Sequence, residues 1–280
     1  MRYVPLLQLC VVAAAFSVGA AHANHPVFVE GNCPSAPASG LVPPGTCGDY
    51  DGDGRIGVAE DNDGLDRVFG TIGAALGAAG VNQNGRVTIV TSGIFPEVVT
   101  INPTTGNVTL EAAPGVEANI DAVLQGNAGN VARQAQPGII VNAADATRVT
   151  LRNLVSRNWT VGIAAMGSSH VTIEECRVEN NLNYGIQATG SAKVKIDKSS
   201  ATANGFRTDG GAAGSAPDGP ANANPGGGID FDDNSKGAVF RTNVSGNLAV
   251  GISGRNVVMR DNYLFDNGRG DDERDWGRGR

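Results

Sequence analysis

Aromatic side chains make up only 5% of this 280-residue chain, and there are three histidines and two tryptophans. A large helical enzyme rarely looks like this; forty glycines point instead to many tight turns and thin layers. Basic residues are outnumbered, 21 Lys and Arg against 28 Asp and Glu. The resulting charge of −7 argues against nucleic acid or an anionic membrane as the main partner. Long apolar runs are also missing. The longest, over residues 6–18, is too short for a comfortable membrane span.

That run has another use. Arg2 precedes it and Ala21-His22-Ala23 follows it, so residues 1–23 read as a secretory signal cleaved near Ala23. Cys10 has no small residue before it, which speaks against a lipid anchor. Loss of Arg2 with the signal takes the charge from −7 to about −8. The mature chain is expected to be exported, extracellular or periplasmic, with no membrane span. In an oxidising compartment, Cys33 and Cys47, which flank a Pro/Gly/Ser/Ala-rich loop, are expected to form a disulfide. Closing such a loop contributes roughly 3 kcal/mol in the chain-entropy model.

Charge concentrates in "GDYDGDGRIGVAED", residues 48–61. Asp49, Asp51 and Asp53 alternate, Gly54 allows a sharp turn, Arg55 offers its carbonyl, and Glu60 lies at the twelfth position. Alternate carboxylates converging on one point would repel one another without a cation. The stretch resembles the EF-hand calcium loop at each diagnostic position. Pro43, Pro44 and Gly45 forbid the usual entering helix, so a single extracellular loop of the dockerin kind fits better. The resemblance implies Ca²⁺ held by Asp49, Asp51, Asp53, Arg55 and Glu60 in a structural role; the alternative is a solvated Asp/Gly turn.

Downstream, Val68, Phe69, Ile72 and Leu76 recur at helical spacing and predict a capping helix. "RVTIVTSGIFPEVVTI" then reads as two strands around a Gly/Pro corner, with "NVTLEAAP" as another. A Gly-Ile pair recurs at residues 138, 162, 185, 228 and 251, at intervals of 24, 23, 43 and 23. The long interval is one unit plus an insertion of about 20 residues, as expected of stacked solenoid coils. Between the pairs lie "RVTL", "HVTI", "KVKI", "AVF" and "VVM". Their alternation sends Val149/Leu151, Val171/Ile173 and Val194/Ile196 inward and Arg148, His170, Lys193, Glu174 and Asp197 outward. Asn158, Asn180, Asn204, Asn247 and Asn267 follow these strands and read as turn ladders. Cys176, inside the repeat, is expected to be a buried small hydrophobe.

These repeats, with the helix-strand order before them, resemble the right-handed parallel β-helix proteins of the pectate-lyase-like superfamily. The resemblance implies an all-β solenoid of about 23-residue coils over residues 65–267. Residues 24–64 form a separate N-terminal segment and residues 268–280 a flexible tail. As to function the resemblance is weak, because such coils host lyases, hydrolases, esterases and non-catalytic proteins alike.

The catalytic signatures of that superfamily are mostly missing. Neither the paired aspartates and Gly-His-Gly of polygalacturonases nor the Arg-x-Pro-x-x-Arg of pectate lyases occurs. One candidate remains in "GGGIDFDDNSKG", where Asp230 and Asp232 project from one strand about 6.5–7 Å apart. That is near the lower limit for inverting glycoside hydrolysis. Gln187 lies on the equivalent face of a preceding coil, and Arg207 and Asp209 begin an insertion at 207–227 that overhangs it. Two readings follow. The first is a non-catalytic secreted β-helix that binds or organises extracellular polysaccharide. The second is a polysaccharide lyase or hydrolase using Asp230 and Asp232 as catalytic carboxylates, with Gln187, Arg207 and Asp209 binding substrate.

Overall fold

The structure, a computed structural model, describes residues 27–31, 40–41, 49, 55–56, 67–77, 85–103, 106–122, 136–205, 226–232 and 234–268. The signal at 1–23, Cys33, Cys47, Asp51, Asp53, Glu60, Arg207, Asp209 and residues 269–280 lie outside the described residues. So does the insertion up to residue 225.

Each coil is three short strands, one on each face of a triangular prism. The first face stacks β4 (Arg67–Phe69), β1 (Val27–Val29), β5 (Gly85–Ile89), β8 (Asn107–Ala112), β11 (Arg148–Arg152), β14 (His170–Glu174), β17 (Lys193–Asp197), β20 (Lys236–Phe240) and β23 (Val257–Arg260). The second stacks β6 (Gly93–Phe95), β9 (Ala118–Asp121), β12 (Leu154–Arg157), β15 (Arg177–Glu179), β18 (Ser200–Thr202), β21 (Asn243–Ser245) and β24 (Tyr263–Phe265). The third stacks β7 (Val99–Ile101), β10 (Ile139–Val141), β13 (Val161–Ala165), β16 (Tyr184–Ala188), β19 (Ile229–Phe231) and β22 (Ile252–Ser253). All pairings on the three faces are parallel. Gly40–Leu41 (β2) and Arg55–Ile56 (β3) make a separate antiparallel pair.

Alternation along these strands builds the core. Val149, Leu151, Val171, Ile173, Val194 and Ile196 are all buried and stack in register from coil to coil. Burying each such side chain stabilises the fold by roughly 1.5–3 kcal/mol relative to leaving it exposed. One strand thus covers only its own width of core, and the neighbouring coils complete it.

Three expectations need correction. The stretch read as two strands is three, β5, β6 and β7, and so makes a full coil. The periodicity put Val68 and Phe69 on a helix, but both lie in β4; only Ile72–Gly77 is helical. Thr71 accepts from the Ala74 N–H, and the Glu97 carboxylate accepts from the N–H groups of Ile72 and Gly73, both at 2.8 Å. These satisfy donors that a helix start leaves free. The N-terminal segment, expected to stand outside the solenoid, contributes β1 to the first face, between β4 and β5.

The fourth correction concerns the asparagines, which fall into two columns rather than one. Asn158 and Asn180 have positive φ (64° and 56°) and share their turn position with Ala203, Gly246 and Asp266. One residue later comes the hydrogen-bonded ladder: Trp159, Asn181, Asn204, Asn247 and Asn267. Each backbone N–H donates to the next amide oxygen at 2.9–3.2 Å. Each Asn amide from 181 to 247 also donates to the next, at 2.8–3.0 Å. The left-handed column uses the tolerance of Asn for φ > 0, and the ladder uses its paired donor and acceptor.

The Gly-Ile repeat is the other half of this ladder. A Cβ on Gly185 would lie 2.8 Å from the Asn204 amide and 2.7 Å from the Gly228 carbonyl oxygen. At Gly228 it would meet Asn247 at 2.8 Å, and at Gly251 it would meet Asn267 at 2.8 Å. The glycines recur because the amide column leaves no room for a side chain.

Cys176 is buried as expected, and burial pushes its thiol up to about 12, so it stays a neutral thiol. Asp197, expected to point outward into solvent, is buried, because Arg241 from the next coil lies over it with contacts of 2.9 and 2.5 Å. That hydrogen-bonded guanidinium holds the Asp197 carboxyl below the usual range.

Candidate functional site

Parallel, in-register pairing places the first residues of β11, β14, β17 and β20 in one outward column. Arg148 pairs with His170, His170 with Lys193, and Lys193 with Lys236. Adjacent strands are about 4.8 Å apart, so the four bases occupy roughly 14 Å of surface. With Lys195 they line a shallow groove of about 380 Å³, floored by Thr172 and Ala238.

The contacts within the column are specific. Arg148 Nη1 lies 3.4 Å from His170 Nδ1, and Lys193 Nζ lies 3.0 Å from His170 Nε2. Asp145, on the turn leading into β11, places Oδ1 2.9 Å from His170 Nε2 and 3.4 Å from Lys193 Nζ. Hydrogen bonds from His170 and then Lys193 hold the Asp145 carboxyl below its usual range, so it is ionised. One exposed carboxylate therefore faces several bases.

Other charged residues among the described strands have partners of opposite sign. Arg152 bridges to Glu174 at 2.6 Å on the first face. On the second face Arg157 reaches Asp121 at 2.6 Å and Glu179 at 3.8 Å, while Arg177 reaches Glu117 at 2.6 Å and Glu179 at 3.2 Å. Like charges in facing strand positions are destabilising. Glu174 and Asp197 also face each other, but each carries its own arginine, Arg152 and Arg241; the Arg148–His170–Lys193–Lys236 column sets four bases side by side with Asp145 as the carboxylate in contact with His170 and Lys193.

The acidic strand has a different character. Asp230 sits in the outer column of the third face between Gln187 and Ser253. Ser253 Oγ donates to it at 2.6 Å and Gln187 Nε2 at 3.4 Å. Tyr184 nearby has its phenol pushed up, by burial first and by the Asp230 charge second. Asp232 lies one residue beyond β19 and is drawn into the turn. Its carboxylate accepts the N–H groups of Gly190 (2.7 Å), Ser235 (3.0 Å) and Asn234 (3.2 Å). Burial raises Asp232, but these backbone donors outweigh it and hold the carboxyl below its usual range. A catalytic acid at neutral pH needs the opposite shift. Of the calcium loop, Asp49 is described and buried, and Arg55 lies in β3.

Comparison with known proteins bears on the winding of the chain. Residues 137–273 match the family model described as right handed beta helix region. The chain is a right-handed parallel β-helix. Among solved structures, the β-helix is similar to pectate lyase Pel9A at 16% identity and a TM-score of 0.42, covering 70% of this chain. It spans 64% of the length of that lyase. It is also similar to the pectin methylesterase from Aspergillus niger at 16% identity and a TM-score of 0.32, covering 76% of this chain and 85% of that one. No curated protein matches the chain.

Proposed function

We propose that this β-helix is an exported, non-catalytic protein that binds acidic polysaccharide along its first face, with a calcium loop near its N-terminus as a structural staple. The observation that carries the reading is the basic column of Arg148, His170, Lys193 and Lys236, four bases set in register on successive coils along one groove. A linear polymer with repeated carboxylates or sulfates offers a matching row of anions and removes the repulsion within the column. The export reading rests on the signal-like residues 1–23, and it puts such polymers within reach. Asp232, committed to a turn and held ionised, supports the non-catalytic reading.

The test is retention on immobilised polygalacturonate at low salt, where wild type is expected to bind and to elute as ionic strength rises. Reversing a charge about 4 Å from an anion changes the energy by roughly 2 kcal/mol even at the dielectric of water. Lys193→Glu with Lys236→Glu should therefore weaken binding at least about tenfold. Equal retention of the double variant, or equal binding to an uncharged glucan, would remove the basis for the proposal. Release of cleaved polymer by wild type but not by Asp230→Asn would favour the lyase or hydrolase reading instead.

The calcium reading rests on the Asp49–Asp51–Asp53–Gly54–Glu60 spacing and on the burial of Asp49, which an ionised oxygen tolerates only with donors or a cation. Ca²⁺ would be held by those carboxylates and the Arg55 carbonyl. Calorimetry should show about one ion bound in the ~10⁻⁴–10⁻³ M range typical of extracellular modules. Glu60→Gln should abolish the signal, and absence of calcium heat in wild type would refute the site.

A further inference from the structure

His170 sits at the centre of the basic column, and its neighbours decide which of its nitrogens carries a proton. Arg148 can only donate, so Nδ1, 3.4 Å from Arg148 Nη1, accepts in the neutral ring. With Nδ1 accepting, the neutral ring carries its proton on Nε2, which lies 2.9 Å from Asp145 Oδ1, an acceptor, and 3.0 Å from Lys193 Nζ, a competing donor to the same carboxylate. That tautomer uses up both ring nitrogens, occupies Arg148 in a contact within the protein, and leaves the column one charge short. Lys193, 3.0 Å from Nε2 and 3.4 Å from Asp145 Oδ1, is likewise turned toward Asp145.

Protonation changes each of these contacts. Nδ1 becomes a donor facing a guanidinium, so Arg148 loses its partner and is pushed outward into the groove. The ring itself becomes the third cation between Arg148 and Lys193. In the free protein Arg148 and Lys193 flank the ring, and Asp145 is the carboxylate in contact with it. Of the other charges on the packed strands, Lys236 stands next to Lys193 and adds to the positive column, while Arg152 pairs with Glu174, and Lys195 and Arg241 with Asp197. A row of ligand anions over Arg148 and Lys193 would place further negative charge beside the ring. Imidazole is the side chain whose charge changes between pH 5 and 8.

We infer that His170 makes the first-face groove pH-sensitive, taking up a proton together with an acidic polymer so that affinity rises on acidification. The inference rests on the polyanion reading of that groove and adds its regulation. Linkage makes the coupling reciprocal: the ligand promotes protonation as much as protonation promotes binding. The advantage is fully present at the acid end of the imidazole range and is lost as pH rises through it.

The experiment uses the mature full chain and dextran sulfate, whose sulfate half-esters keep their charge throughout, at fixed ionic strength and at pH 5.5 and 7.5. The readout is the ratio of the two dissociation constants. Wild type should bind about three- to tenfold more tightly at pH 5.5. For His170→Gln the ratio should fall close to one. His170→Lys, which carries a permanent charge, should also give a ratio near one, with tighter binding than wild type at pH 7.5. Calorimetry in buffers of different ionisation enthalpy should show net proton uptake on binding by wild type only. An unchanged ratio in His170→Gln overturns the inference, as does pH-independent binding by wild type, while either result leaves the groove as a binding site. Absence of binding at both pH values overturns the groove reading and this inference together.

Discussion

Gly185→Ala is expected to lower the melting temperature by about 6–12 °C. The added methyl has nowhere to go: the Gly228 carbonyl oxygen would lie 2.7 Å away and the Asn204 amide 2.8 Å away. One obstacle is the backbone of the next coil, and the other is fixed by hydrogen bonds on both sides. Overpacking of this kind costs about 1–3 kcal/mol, and loosening the ladder adds a comparable amount, so about 3 kcal/mol is a central value. For a domain of this size each kcal/mol shifts the midpoint by roughly 2–4 °C. Thermal melting by circular dichroism reads the effect. A shift under about 2 °C would mean that the coils can move apart, and that the glycine column has some other cause.

Asn204→Ala should cost about 2–4 kcal/mol, whereas Asn180→Ala should cost only about 1 kcal/mol. Asn204 is fully buried. Its side chain accepts from the Asn181 N–H at 3.2 Å and amide at 2.9 Å, and donates to the Val178 carbonyl at 3.2 Å and Asn247 at 3.0 Å. Alanine leaves buried partners on both neighbouring coils short of a bond. Asn180 contributes a left-handed turn residue, which alanine adopts with some strain. Chemical denaturation of both variants separates the two columns, and equal losses would contradict their assignment. In the Gly185→Ala/Asn204→Ala double variant the losses should fall short of additive, because removing the amide frees space for the new methyl.

The fold was legible because its repeat is written in residue types that few other arrangements require. Gly-Ile pairs and asparagines at intervals near 23 residues mark two faces of one contact, although only the structure shows that they touch. What blurred the reading was local. Asn180 and Asn181 are adjacent and identical in type, so nothing in the chain says which one faces inward. Val68 and Phe69 match a helical stripe, but β1 offers β4 a strand partner, and sheet pairing overrode the local pattern. β1 itself carries little signal, three residues far from the repeats.

The basic column was half visible. Arg148, His170 and Lys193 are each followed directly by Val, whereas β20 begins Lys236-Gly237-Ala238 and hides its first residue behind a broken motif. Asking which residue type begins each coil's first strand would have found all four bases. Asp145 carries no such signal, because it reaches His170 from a turn 25 residues earlier. Asp230 and Asp232 show the converse. Spacing alone made them a pair, yet the strand ends between them and the turn claims the second.

The position of β1 bears on the order in which the chain can assemble. Coils pair with neighbours some twenty residues away, so the stack can grow from its middle by short closures, each completing as its successor forms. β1 belongs to no such closure. It lies between β5 and β4, whose residues come some 40 to 60 positions later, so its hydrogen-bonding edges wait for two separate arrivals. As the chain emerges from its N-terminus, the earliest strand of the solenoid stays unpaired until β4 and β5 follow it, some 40 and 60 residues later. Until β1 pairs with it, β5 presents an unpaired edge, the surface most open to strands from other molecules.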